Sequence, residues 1–502
     1  MLRRLTFLLF ALLANPGLIP AASAQQEMLE LASRGETQTV LDALTDQTLV
    51  GAMQADGTSL LHWAVYYDDL TLAKRLLELG ADAQLQNNYG ASPMAQAAIV
   101  GNPDMLEALL EAGVDPNERY ADGQTALMIL ARTNNLRAAE LLLEAGADVN
   151  MVEQFRGQTA LMWAAAQKQA EMLKLLLEHG ADPNARSSLN NWQRQVTAEP
   201  RLKVMPVGGL TPLLYAAREG CTLCTLYLIE AGADIQMTDP EGISPLIMAC
   251  LNAHWDSARL LLEAGAYIDK WDIYGRSPLY ATVDYNTIPH GGRVDKVSSD
   301  LTSSFEFLTM LLEAGANPNL QLKLLPPFRE LSLDRAARGD RLLLIAGTSS
   351  LIRAARGADV EAIEILLEHG ALIDLPNDND VTALIAAAGY GQEPGATRGR
   401  FRTQAEALLA TRALLANGAA DINHQDNTGI TALHAAADQG WADIVALLLE
   451  YGADPAIEDS FGTTALDYAL GRGGRFNGGG GGNVSPETAA LLDPSVSVPG
   501  SR

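Results

Sequence analysis

Histidine, cysteine and clustered acids are the residue types here that could do chemistry. The seven histidines are His62, His179, His254, His290, His369, His424 and His434. None has a second histidine four residues on, so the H-x-x-x-H pair of a zinc hydrolase is missing. There is no Gly-x-Ser-x-Gly, no Walker loop, and no Gly-x-Gly-x-x-Gly in a strand-to-helix setting. The glycines at 478–482 follow a helical stretch and read as low complexity. No EF-hand loop is present, and "DLPNDND" (374–380) reads as a turn rather than a calcium site. The sequence therefore predicts no catalytic residue, no metal and no cofactor.

Three cysteines remain: Cys221, Cys224 and Cys250. Spacing alone leaves all three pairings open. Thr225 follows the C-x-x-C, so it is not a haem attachment site, and a thioredoxin-like role would need a βαβ setting that is absent. Cys250 sits where other units place a core alanine. The cysteines read as a structural disulfide or as buried thiols.

These residues lie on a repeated frame. Its leading positions are Gly57, Gly90, Gly123, Gly157, Gly209, Gly242, Gly275, Gly347, Asp380, Gly429 and Gly462. Successive gaps are 33, 33, 34, 52, 33, 33, 72, 33, 49 and 33, so a 33-residue unit is interrupted three times between leading positions. Two positions on stands a hydroxyl: Ser59, Ser92, Thr125, Thr159, Thr211, Ser244, Ser277, Ser349, Thr382, Thr431 and Thr464. That is the N-cap chemistry of a helix start. Four positions on stands Leu or Met, from Leu61 to Leu466. Seven positions on stands usually Ala, as in Ala64, Ala164, Ala216 and Ala436, with Leu130 and Thr282 as exceptions. Small Ala lets short helices approach, and leucine runs such as 141–143 and 447–449 supply a buried stripe. Gly146 and Gly452 can take the left-handed conformation that ends a helix. One such unit cannot bury its apolar face, so units must stack.

The helix entry "GLTPLLYAAREG" (209–220) resembles that of the ankyrin repeat, Gly-x-Thr-Pro-Leu-His-x-Ala. It keeps Gly209, Thr211, Pro212, Leu213 and Ala216, with Leu214 in the His slot. "GTSLLHWA" (57–64) keeps His62 but has Ser59 and Leu60 in the Thr-Pro slots; His434 is the other histidine kept. Both histidines read as structural. The resemblance covers about residues 28–492 and implies an all-α ankyrin-repeat solenoid of about eleven helix-turn-helix units. β-hairpin fingers and long loop insertions would complete it. "SPETAALL" (485–492) reads as the final capping helix, and 493–502 as a flexible tail.

The first 24 residues differ. Arg3 and Arg4 precede the apolar run 5–13, and Ala22-Ser23-Ala24 precedes Gln25. This is the layout of a secretory signal peptide (1–24), leaving 25–492 as the solenoid. The run is too short to span a membrane, and no later segment is apolar enough, so no stable membrane insertion is expected after cleavage. The expectation is a bacterial periplasmic or secreted protein, monomeric. The mature chain would carry 33 basic against 61 acidic residues, a net −28. That charge favours solubility and argues against nucleic acid as a partner.

Interruptions near 186–208, 284–304, 320–346, 389–404 and 471–484 break the frame. The first and third fall at fingers, and the other three between the helices of a unit. Together they hold sixteen Lys and Arg against eight acids, a net +8 in a chain otherwise at −36. Such loops either dock on the acidic scaffold or face a partner, for which the planar Arg fork is suited. Trp192, Arg194, Arg201, Arg329 and Arg335 are the candidate contacts there. The resemblance places the end of each first helix, nine positions after the leading residue, on a concave face; Tyr66, Arg132, Arg218 and Arg356 stand there. Tyr89, Phe155, Arg156 and Tyr274 stand at finger tips. Aromatic and Arg residues in a groove suit a protein partner. The sequence thus predicts a non-enzymatic protein–protein interaction scaffold with a partner it does not identify. The alternatives are a small-ligand or anion-binding protein that uses the insertions, or a secreted effector.

Overall fold

The computed structural model describes residues 21–44, 49–189, 208–287, 300–324, 346–391, 403–418, 421–472 and 484–495. All eleven leading positions open a unit of two helices. The described chain divides into two compact units. The first takes residues to 189 with 208–216 and 226–234; the second takes 217–225 and the residues from 235 onward.

In the first compact unit, Leu60–Tyr66 pairs with Leu70–Glu78, Pro93–Val100 with Pro103–Glu111, Ala126–Thr133 with Leu136–Glu144, and Ala160–Ala166 with Ala170–Glu178. Each first helix lies against its partner, and the four first helices lie against one another in succession. One more pair precedes them, Ala21–Ser33 and Thr37–Ala43, packed on the Leu60–Tyr66 unit. It has no leading glycine, which is why the repeat frame misses it. Met28, Leu29, Leu31 and Ala32 are nevertheless buried.

The pair Pro212–Glu219 and Thr222–Glu230 contributes residues to both compact units. The second unit continues with Pro245–Leu251 and Trp255–Glu263, Pro278–Thr287 and Ser304–Glu313, and Ser350–Gly357 and Val360–Glu368. It ends with Ala383–Ala387 and Gln404–Ala416, Ala432–Asp438 and Ala442–Glu450, and Ala465–Ala469 and Pro486–Leu492. The last is the expected capping helix. Among the described residues, those expected to form β-hairpin fingers hold isolated antiparallel bridges, among them Met53 with Ser59 and Glu458 with Thr464, rather than strands. No described helix is long and apolar enough to cross a membrane.

The frame residues do what their types require. Ten of the eleven expected N-cap hydroxyls accept a backbone N–H of the first helical turn; Thr125 does not. The position seven residues after the leading residue is wholly buried in all eleven units, at Leu130 and Thr282 as well as at the alanines. Thr282 satisfies its hydroxyl by donating to the Pro278 carbonyl at 2.9 Å. The apolar anchors are buried down to Leu433, while Leu466 of the last unit is half-exposed. Gly429 shows why glycine leads the unit. Its φ is +84°, and a Cβ there would lie 2.8 Å from the Asp459 Cα of the next finger. Asp380 takes the same left-handed conformation at φ +57°.

Candidate interaction surfaces

Six finger turns are each held by one acceptor, three positions before the leading residue. Asp426 Oδ1 accepts the N–H groups of Thr428 and Ile430 at 2.9 and 2.8 Å. Asn87, Asp239, Asp272, Asn377 and Asp459 do the same. Buried charge at three of these is answered by a specific partner: Arg276 at Asp272, Tyr390 at Asp426 and Tyr468 at Asp459. Asp239 is different. Burial, with Glu241 and Asp272 nearby, pushes its carboxyl up to about 6, against the pull of the Ile243 and Glu241 N–H groups.

His62 and His434 tie neighbouring units. The Ser59 N–H donates to His62 Nδ1 at 3.2 Å, so the proton sits on Nε2, which donates to the Ala91 carbonyl at 3.0 Å. His434 repeats this with Thr431 and the Thr463 carbonyl, at 3.2 and 3.2 Å. Burial holds both imidazoles below their usual range. Both histidines are therefore structural.

The expected contact residues fall into three groups. Tyr66, Tyr89, Phe155, Arg132 and Arg156 are exposed, and all belong to the first compact unit. Tyr66 is 55% exposed and lies edge-on to Trp63 and Tyr67, with ring centroids at 5.6 and 5.0 Å. Arg132 lies over the Trp163 ring at 5.4 Å. The indole Nε1 atoms of Trp63 and Trp163 are buried without a hydrogen-bond partner. Between them in the repeat, Ile99 is 59% exposed and Val100 also faces solvent. Ile99 stands nine positions after Gly90, the place Tyr66 and Arg132 take in the units on either side. Helical register alone marks it in the sequence, since its residue type does not. At the fingers, the Glu153 carboxylate accepts the N–H groups of Phe155 and Arg156 at 2.6 and 2.7 Å and so presents Phe155, which is 73% exposed.

Arg218, Tyr274 and Arg356 form the second group, in the second compact unit. Their side chains are half-buried and turned onto the scaffold. Arg218 pairs with Glu219 at 2.8 Å, and Arg356 donates to the Gly391 carbonyl at 3.3 Å. Tyr274 lies under the Arg276 guanidinium at 5.1 Å, and its carbonyl accepts from the Lys323 and Leu324 N–H groups. The third group, Trp192, Arg194, Arg201, Arg329 and Arg335, lies outside the described residues.

The described ends of the insertions dock on the scaffold. Arg186 donates to the Gly209 carbonyl at 3.1 Å, Lys323 Nζ lies 3.2 Å over the Trp271 ring, and Arg472 is 3.8 Å from Asp467. Asp284 forms a buried ion pair with Arg353. Asp256 receives the Leu301 N–H and both the N–H and hydroxyl of Thr302, at 2.9, 3.0 and 2.8 Å. Burial pushes the Asp256 carboxyl up, yet these donors bring it below the usual range. Cys221 and Cys224 are disulfide-bonded, which selects one of the three pairings, and Cys250 is a free, buried thiol.

A family model for ankyrin repeats in three copies matches residues 29–120, 94–187, 195–272 and 213–322, and one for many copies matches 414–469. The chain belongs to the ankyrin-repeat family. Ankyrin repeats are generally protein–protein interaction modules, and proteins of the family are generally non-enzymatic scaffolds. Over 181 residues the chain is 32% identical to the nuclear factor NF-kappa-B p105 subunit of Gallus gallus, covering 32% of this chain and 16% of that protein. Over 139 residues it is 33% identical to an ankyrin repeat-containing protein of Treponema pallidum (strain Nichols), covering 26% of this chain and 41% of that one. The chain thus spans less than half the length of either curated relative. An ankyrin repeat domain from Acinetobacter baumannii AYE, solved by crystallography, is 26% identical with a TM-score of 0.36, covering 41% of this chain and 98% of that one.

Proposed function

We propose that the protein is an exported interaction scaffold whose first compact unit binds a protein partner. The observation that carries this is the run of exposed side chains at equivalent first-helix ends: Tyr66 and Tyr67, then Ile99 and Val100, then Arg132. Three successive units offering large apolar groups and one Arg match the composition of interface cores. The Arg-rich insertions are a separate candidate contact, because the planar Arg fork suits a carboxylate-bearing partner.

Export is supported by residues 1–24 and by the Cys221–Cys224 bond, since disulfides persist in oxidising compartments. N-terminal sequencing of protein from the native host should begin at Gln25.

The binding test uses mature protein, a Tyr66→Ala/Ile99→Ser/Arg132→Ala variant and an Arg194→Ala/Arg201→Ala/Arg329→Ala/Arg335→Ala variant. Each serves as bait for the envelope fraction, read by mass spectrometry. A protein held by the mature chain and lost with the triple variant is the expected result. Equal retention by the triple variant, with loss in the four-Arg variant, would move the site to the insertions.

A further inference from the structure

Cys221 and Cys224 are bonded with their Cα atoms 5.1 Å apart. The bond closes the first turn of Thr222–Glu230, a helix of nine residues. Cys221 holds the N-cap position that Asp69, Asn102, Asn135 and Asp359 hold at other second helices. In those units a side-chain oxygen accepts an unpaired N–H of the first turn. Here the Cys221 Sγ accepts the Cys224 N–H at 3.2 Å. A sulfur so placed meets the partial positive charge of a helix start, which favours thiolate over thiol.

Both cysteines are buried residues, Cys221 the less completely. Cys221 keeps 6% of its surface open and Cys224 none. The next unit fixes the turn from which Cys221 projects. The His254 ring packs against Gly220, and its Nε2 is 3.1 Å from the Arg218 carbonyl. Cys250 is wholly buried, and burial pushes its thiol up to about 12, so it stays protonated and does not compete. As a staple the bond gains little. Its sulfurs are three residues apart, and such a short loop constrains the unfolded chain least.

We propose that Cys221–Cys224 is a reversible thiol–disulfide centre with Cys221 as the exchanging sulfur. An external thiolate, from a small thiol or a protein cysteine, attacks Cys221 Sγ. The S–S bond breaks, and Cys224 leaves as a thiolate and takes up a proton. A second external thiolate attacks the outer sulfur of the mixed disulfide and releases Cys221. Two electrons pass to the protein, and the two external thiols leave as one disulfide. The reverse sequence re-forms the bond. The exchange is stoichiometric and does not depend on the proposed partner binding.

The test uses the full mature chain at pH 7, without denaturant. One arm equilibrates it with mixtures of reduced and oxidised glutathione, the other with a reduced protein dithiol. Samples are acid-quenched, alkylated and read by mass spectrometry, with circular dichroism in parallel. The bond should open and re-form with unchanged helicity. Opening in the glutathione arm assigns a small thiol as co-reactant; opening only with the dithiol assigns a protein. Opening in neither arm, or only with loss of helicity, overturns the proposal. A Cys224→Ser/Cys250→Ser variant checks the assignment of the exchanging sulfur. Its Cys221 should alkylate at pH 6.5 at least about tenfold faster when folded than in denaturant. An equal or slower folded rate also overturns the proposal.

Discussion

The Asn150 side-chain amide donates to the Gly180 carbonyl at 3.0 Å, crossing from one unit to the helix end of the next. Its oxygen accepts the Asp182 N–H at 2.8 Å. Asn117, Asn184, Gln236 and Asn319 make the same two-way tie. Each tie satisfies a carbonyl left open where a helix ends. Asn150→Ala removes two hydrogen bonds near the surface and should cost about 1–2 kcal/mol. Chemical denaturation against the parent measures it. An unchanged midpoint would mean that water replaces the amide without loss.

Packing sets the next expectation. Ala436 is wholly buried in Ala432–Asp438, at the position buried in every unit. Leucine there must displace neighbouring helices, so Ala436→Leu should cost about 1–3 kcal/mol. Calorimetry gives the shift, and a neutral result would refute the contact.

Why some of this was readable in the sequence and some was not has a physical basis. Caps, anchors and the buried alanines depend on local geometry that repeats every 33 residues, so residue type reveals them. The Asn150 tie joins residues a whole unit apart and appears only once units are stacked. The turn-holding acids show the same limit. Asp272, Asp426 and Asp459 are buried, yet in a composition they count simply as negative charge. Part of the chain's acidity is therefore turn architecture rather than surface. Of the contact candidates, Tyr66 and Phe155 are exposed in the structure. Arg356 and Tyr274 are half-buried, and the sequence does not show what folds over them.

The tie made by His434 has a pH dependence. Burial depresses the folded-state pKa of His62 and His434 below 6.5. As pH falls through that value, the unfolded chain takes up protons that the folded chain refuses. Their contribution is therefore present above 6.5 and lost below it. Melting temperature should fall more steeply from pH 7 to pH 5 in the parent than in His62→Gln/His434→Gln. Parallel curves would show that these imidazoles do not govern the slope.

Asp239 should respond in the opposite sense. Its carboxyl is raised from 3.8 to about 6 by burial, so between these values the folded chain keeps a proton that the unfolded chain has lost. Stability from this group is full below 3.8, declines as pH rises through the window and is level above about 6. Asp239→Asn keeps an oxygen for the Glu241 and Ile243 N–H groups and removes the charge. The variant should melt higher than the parent at pH 7.5, and the gain should vanish by pH 4. Burial makes ionisation costly at Asp239, with Glu241 and Asp272 adding to it, whereas at Asp459 the Tyr468 hydroxyl donates at 2.8 Å. Asp459→Asn disturbs that charge-assisted bond and should lower the melting temperature at pH 7.5. If both substitutions shift melting in the same direction, local charge does not distinguish the two turns.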